Sequence, residues 1–245
     1  EINAAQPTAF DGEILVPFAV ESALSGVQKR VTKENILWYE RTFTVPSAWS
    51  GKRIMLNFGA VDWSADVYVN GTLVASHTGG YAPFSADITA ALNKKGTQSL
   101  VVRVWDPTDS VHNPVGKQRL NPSGIWYTAV SGIWQTVWME AVAPTGIKRV
   151  KYTTDIDRST VSMEFTMRRN AVGDVLTINV KDGSKIVATD TAPVASGSIV
   201  TLPIKKAKLW APGSPFLYDV EFILKNAAGQ VIDKATSYFG MRKIH

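Results

Sequence analysis

The stretch VYVNGTLVA (67–75) sets Asn70-Gly71 between two short runs in which apolar residues alternate with others. Asn-Gly suits the two positive-φ positions of a tight hairpin turn, and a period of two turns one face of each run toward a core. A β-hairpin is therefore predicted here, and strand signals of the same kind continue on both sides. RIMLNFGAV (53–61), SLVVRVWD (99–106) and WQTVWMEAV (134–142) are short, rich in β-branched and aromatic residues, and bounded by Gly, Pro or Asn. Only VESALSG (20–26) and DITAAL (87–92) read as helical, each two turns at most.

Pro144 and Gly146 interrupt this pattern, and a second series follows: IKRVKYTTD, TVSMEFTMRR, DVLTINVKDG, KIVATDT, SIVTLPI, FLYDVEFILK and VIDKATSYFG. Seven alternating strands over about 100 residues fit an immunoglobulin-like sandwich. The expected fold class is thus all-β, a β-sandwich over 1–143 followed by an immunoglobulin-like sandwich over 144–245. There is no cysteine, so both cores rest on packing alone, and disulfides, thiol chemistry and Cys-based metal sites are excluded.

The chain has 245 residues, 45% of them hydrophobic, and a net charge of +5. No run approaches the roughly 18 apolar residues of a membrane span. The basic residues are diffuse: the densest pieces, Arg168-Arg169 and KKAK (205–208), lack interleaved aromatics, which argues against a nucleic-acid partner. The chain opens on Glu1, which suggests a processed or trimmed product, and export to the periplasm or outside the cell is the expected localisation.

Several segments in order resemble glycoside hydrolase family 2, which contains β-galactosidases, β-glucuronidases and β-mannosidases. LWYERTFTVPSAWSGKRIMLNFGAVDWSADVYVNG (37–71) looks like the opening of that family's sugar-binding, galactose-binding-like jelly roll. HTGGYAPFSADIT (77–89) is similar to the β-glucuronidase segment after the same hairpin, and SGIWQTVWME (131–140) resembles the last jelly-roll strand. LWAPGSPFLYDVEF (209–222) and FGMR (239–242) resemble motifs of the immunoglobulin-like domain that precedes the catalytic barrel. The resemblance implies the non-catalytic N-terminal portion of an exo-β-glycosidase, with the missing barrel as partner and a β-glycoside as substrate. A stand-alone carbohydrate-binding module and a purely structural interaction domain are the alternatives. The family's usual first strand has no counterpart before FDGEILVPF (10–18).

No catalytic residue is assigned. Retaining glycosidases need two carboxylates about 5–5.5 Å apart, and the family carries its acid/base in an Asn-Glu pair, which this sequence lacks. Nucleophile-elbow, phosphate-loop, zinc-protease and Rossmann motifs are absent too, so no cofactor is expected. The pairs Asp106/Asp109 and Asp155/Asp157 offer too few ligands for a metal site. His77, beside Gly79, reads as a turn-packing residue.

The loop HNPVGKQRLNPSGIWYTAV (112–130) carries the candidate sugar contacts. Asp106, Lys117, Gln118 and Arg119 are candidate polar groups at a pocket rim, and Trp126 and Tyr127 are candidate stacking surfaces. An aspartate that β-galactosidases and β-glucuronidases place six residues before the strand glycine would fall at Trp126, so that contact does not carry over. Trp126 either stacks on substrate or seals the barrel interface. Trp134, Thr136 and Trp138 are expected to alternate with Ile133, Gln135 and Val137 along one strand.

Overall fold

The computed structural model describes residues 5–169 and 173–244. The chain is all-β and divides into two compact units, Glu1–Val142 and Ala143–His245. In the first unit the strands are β1 (Leu37–Phe43), β2 (Arg53–Phe58), β3 (Val61–Asp62), β4 (Ser64–Val69), β5 (Thr72–Thr78) and β6 (Phe84–Asp87). They continue as β7 (Gln98–Trp105), β8 (Gln118–Arg119), β9 (Tyr127–Thr128), β10 (Gly132–Ile133) and β11 (Val137–Val142). One sheet has the order β1-β7-β4-β5 and another β11-β2-β6, while β10 pairs with β3 and β8 with β9. Ile54, Leu56 and Phe58 of β2, Ala65, Val67 and Val69 of β4, and Val102 and Val104 of β7 meet in one buried core.

The hairpin forms as the sequence predicts. Asn70 and Gly71 have φ of 49° and 78°, and Val69 faces Thr72 across the turn. Asn70 also ties the turn to its neighbours: its amide donates to Gln98 Oε1 and Ala91 O, and its Oδ1 accepts from Ser99 N–H. β5 is an edge strand, which leaves Leu73 exposed.

Three expectations are corrected. The helical readings at 20–26 and 87–92 reduce to single 3-10 turns, Ala23–Ser25 and Thr89–Ala91. The first is closed at once by Gly26 at φ 81°, whose N–H bonds to Ala23 O. The third correction concerns 53–61, which divides between β2 and β3, and 134–142, where the strand begins only at Val137, after β10 has ended at Ile133. At Gly59-Ala60 and Trp134–Thr136 the paired chains pass from the β2/β11 ladder to the β3/β10 ladder, held by Gly59 N–H to Thr136 O at 2.9 Å. A Cβ at Gly59 would lie 2.7 Å from Gln135 Cβ, so only glycine permits this crossing. Trp134 and Trp138 therefore do not share one alternation: Trp134 donates its indole N–H to Gly80 O, and Trp138 is left 44% exposed.

The second unit contains β12 (Ile147–Asp155), β13 (Thr160–Met167), β14 (Val175–Asp182), β15 (Lys185–Pro193), β16 (Ile199–Pro203), β17 (Tyr218–Lys225) and β18 (Val231–Phe239). Its sheets run β12-β13-β16 and β15-β14-β17-β18, and inward residues of both meet in one core. Phe165 and Phe222 pack edge to face at 5.7 Å in its centre. Trp210 lies under the Arg242 guanidinium, whereas Tyr218 stacks on Phe239, meets Phe216 edge to face and accepts Lys208 N–H. Among the described residues no helix is long and apolar enough to cross a membrane.

Phe165 has no exposed surface and no polar atom to rescue its loss. Phe165→Ala should destabilise the second unit by about 3–5 kcal/mol, read as a lowered denaturation midpoint in urea. A shift below about 1 kcal/mol would mean that the two sheets do not share the packed core described here.

Candidate functional site

The chain leaving β7 makes a long excursion before it returns as β10, and two-residue strands β8 and β9 pair in parallel inside it. Glycines at 116 and 124, with φ of 57° and 58°, allow the reversals that bring them together. Tyr127 N–H bonds to Lys117 O at 2.8 Å, so each aromatic residue is held next to a basic one. The Arg119 guanidinium lies 3.8 Å from the Trp126 ring centroid, and the Lys117 ammonium lies 5.7 Å from that of Tyr127. Trp126 remains 39% exposed and Tyr127 65%.

Gln118, between those two cations, points the other way. Its amide nitrogen donates to Asp62 Oδ2 at 2.9 Å and to the Tyr81 hydroxyl at 3.3 Å, and its Oε1 accepts Val130 N–H at 2.7 Å. One side chain thus joins β8 to the interior and to the far end of the excursion. Expected at a rim, Gln118 is instead an inward strut. Asp106 is corrected in the same way: it is 2% exposed, accepting Ser131 O–H at 2.6 Å and Thr108 N–H at 2.7 Å. Lys117, Arg119, Trp126 and Tyr127 share the outer face of the excursion, and Asp106 and Gln118 lie beneath it.

Beneath the excursion three carboxyl groups converge from separate parts of the unit. Asp62 comes from β3, Asp106 follows β7, and Glu21 comes from the segment before the first 3-10 turn, where its Oε2 accepts Ser131 N–H at 2.9 Å. Asp62 is 3% exposed, and a Cβ at Gly80 would collide with its carboxylate. Burial in a poorly solvated site disfavours the charged form, outweighing the Gln118 hydrogen bond, and pushes Asp62 up to about 6. Burial also pushes Glu21 and Asp106 above the usual carboxylate range, and the negative field of Asp106 adds to the rise at Glu21. Tyr39, raised as well by burial, lends its hydroxyl to Ile133 N–H.

Asp62 and Glu21 are absent from the candidates drawn from sequence. Asp62 carries one signal, a charged residue inside the apolar run FGAVDW; Glu21 carries none. Among the described residues no group of three or more His, Asp or Glu side chains is arranged to hold a metal ion. The two aspartate pairs have other partners: Asp109 bonds Leu120 N–H, Asp155 caps Arg158 N–H, and Asp157 pairs with Lys243 at 2.5 Å. His77 packs the turn, stacking on Phe84 and bonding Gly79 O.

Asp62 binds its proton more readily when folded than when unfolded, where its value is near 3.8. Its protonated form favours the fold below pH about 4; that contribution is lost as pH rises to about 6, leaving a penalty on the order of 2–3 kcal/mol above. Asp62→Asn keeps an acceptor for Gln118 and removes the titration. The stability of the variant relative to the parent should therefore rise from pH 4 to pH 6 and level off, measured by urea denaturation. A difference independent of pH would exclude Asp62 as the buried acid. Gln118→Ala should cost about 1–3 kcal/mol, because it strands the Asp62 carboxylate, and should speed amide exchange at Val130. Unchanged exchange there would remove Gln118 from its role as strut.

The family model for the glycosyl hydrolases family 2 sugar binding domain matches residues 16–142, and that for glycosyl hydrolases family 2 matches residues 145–242. A β-glucuronidase of Paenibacillus borealis is 28% identical over 94% of this chain and 40% of its own length. A β-galactosidase of Thermoanaerobacter pseudethanolicus is 28% identical over 85% of this chain and 28% of its own. Among solved structures, the β-glucuronidase of an uncultured Clostridium sp. covers 94% of this chain and 39% of its own, with a TM-score of 0.73 and 27% identity. That of Lactobacillus rhamnosus, at 23% identity and a TM-score of 0.75, shares the fold over 97% of this chain. The chain spans 40% or less of the length of the two curated relatives.

Proposed function

The chain belongs to glycosyl hydrolases family 2 through both of its units, and from that membership we propose that it is the non-catalytic portion of an exo-acting β-glycosidase. Its first unit meets carbohydrate through the outer face of the 112–130 excursion, and the chain as a whole supports a catalytic barrel. The observation that carries this reading is the display of Trp126 and Tyr127. Large apolar rings left 39% and 65% exposed cost free energy in water unless something flat and amphipathic covers them. A pyranose does so, with its apolar face on the ring and its hydroxyls toward nearby donors. Lys117 and Arg119 are such donors, the Lys117 ammonium 5.7 Å from the Tyr127 centroid and the Arg119 guanidinium over one face of the Trp126 ring.

The two fully buried aspartates of the first unit do not suit glycosidic chemistry. Asp62 and Asp106, at 3% and 2% exposure, are closed to a substrate, and their oxygens hold the excursion in place. In this reading bond cleavage belongs to carboxylates of the catalytic barrel.

The purified 245-residue chain should turn over neither a chromogenic β-galactoside nor a β-glucuronide. Turnover above background that is abolished by changing one Asp or Glu of this chain would overturn the non-catalytic reading. Free monosaccharides should bind at about 1 mM or weaker, near −4 kcal/mol. Trp126→Ala should weaken that binding by about 5-fold or more, roughly 1 kcal/mol, and leave the melting temperature nearly unchanged. A lowered melting temperature with unchanged binding would make Trp126 a packing residue.

A further inference from the structure

Apolar packing does not hold the excursion down. From Val111 to Val130 only Ala129 is buried, and the short strands β8 and β9 pair with each other and with no other strand. A segment with so little buried apolar surface opens at a fraction of the free energy that unfolds the whole unit. Its seat is a small set of polar contacts: Gln118 to Asp62, Ser131 to Glu21 and Asp106, and Arg30 to Asn121 Oδ1 at 3.2 Å. All but the last end on a carboxyl group, and among the described residues none of these three carboxyl groups forms an ion pair.

Asp62 meets the Gln118 amide, with the Tyr81 hydroxyl beyond it, and feels the negative fields of Asp106 and Glu21. On the Gly80 side, His77 is turned to Gly79 O and Phe84. Asp106 meets Ser131 O–H and Thr108 N–H. Glu21 meets Ser131 N–H and acts on the Tyr39 hydroxyl, while its other oxygen, Oε1, is buried without a hydrogen-bond partner. The cations that line a cleft with Glu21 turn elsewhere: Lys29 to Asp11, Arg30 to Asn121, and Arg119 to Asp109, Gln118 O and the Trp126 ring. A negative charge beneath the excursion thus has neither water nor a counter-ion, and burial pushes Asp62 up to about 6 and raises Glu21 and Asp106. Lifting the excursion takes Gln118 off Asp62 and admits water, so that this carboxyl returns toward 3.8. Opening therefore releases protons. It is indifferent to pH below about 4, is promoted as pH rises to about 6, and levels off above.

We propose that the excursion is a proton-controlled flap, seated while the carboxyl groups beneath it are neutral and loosened as they ionise, so that pH governs how firmly Trp126 and Tyr127 are held as one face. The use of the flap rests on the reading that this face meets carbohydrate, whereas the flap itself stands on the contacts beneath it.

Amide hydrogen exchange of the 245-residue chain reads the opening directly, followed by NMR from about pH 4.5 to about pH 6.5 and corrected for the intrinsic rate at each pH. Ile88, fully buried and bonded through its N–H to Ile54 O at 3.0 Å, is the reference for the body of the unit. Val130 and Ser131 should be protected about tenfold less than Ile88 or weaker still, and their opening should rise by about tenfold or more across that range. The parent chain alone gives this result, and two variants locate its source. Asp62→Asn should remove most of the rise, and Glu21→Gln a smaller part. Protection at Val130 and Ser131 equal to that at Ile88 at every pH would overturn the flap. Weaker protection that does not change with pH would overturn its control by protons, as would a rise that persists undiminished in both variants. Methyl β-D-galactoside at about ten times its dissociation constant should slow exchange at Val130 by about tenfold, because a face occupied by sugar opens less. The rise with pH, without any slowing by the sugar, would leave the flap standing and overturn the carbohydrate reading.

Discussion

The Gln118 amide donates to Asp62 and accepts from Val130 N–H, and the excursion between β7 and β10 takes its shape from that pair of contacts. Neighbouring side chains on an extended segment point to opposite faces, so an inward Gln118 obliges Lys117 and Arg119 to face outward. Their outward direction, with the parallel pairing to Tyr127 and Thr128, brings them beside the two exposed rings. The interior end of the strut is equally constrained. Asp62 fits because Gly80 has no Cβ, and beside it Ser131 of the chain entering β10 bonds both Asp106 and Glu21.

This arrangement separates rigidity from recognition. The buried carboxyl groups carry a desolvation cost that a purely apolar plug would avoid, and in return they fix the direction of a loop too short in regular structure to hold itself. The displayed face is then a small rigid surface of two rings and two cations. A preorganised surface loses little side-chain entropy on binding, which matters most for weak, few-contact ligands such as single sugars.

Much of the fold was legible from local sequence. Asn70-Gly71 announced its hairpin, the seven alternating runs after Pro144 each became a strand, and the absence of cysteine placed the burden on residues such as Phe165 and Phe222. What local reading missed depends on long-range pairing. Period-two alternation runs straight through FGAV and WQTV, and only the meeting of Gly59 with Gln135 shows that both strands break there. The candidate site divides similarly. The outer residues were identified by type, since an aromatic or basic residue on a loop is exposed by default. Residue type does not reveal direction, so Gln118 and Asp106 read as rim residues, and Glu21 meets Asp106 through Ser131, 110 positions beyond Glu21 in the chain.

The Gln118–Asp62 contact also bears on how the two positions can change over generations. A single-nucleotide change turns a glutamine codon into a glutamate codon, and Gln118→Glu would set a second carboxylate against Asp62, where the amide nitrogen now stands at 2.9 Å. Two carboxylates that close in a dry site cannot both ionise; they must share a proton or move apart. Substitution at one position is thus opposed until the other has become asparagine, after which acid and amide have exchanged places and the bond is restored. Positions 62 and 118 are expected to covary as a reciprocal pair in related sequences, although 56 residues lie between them.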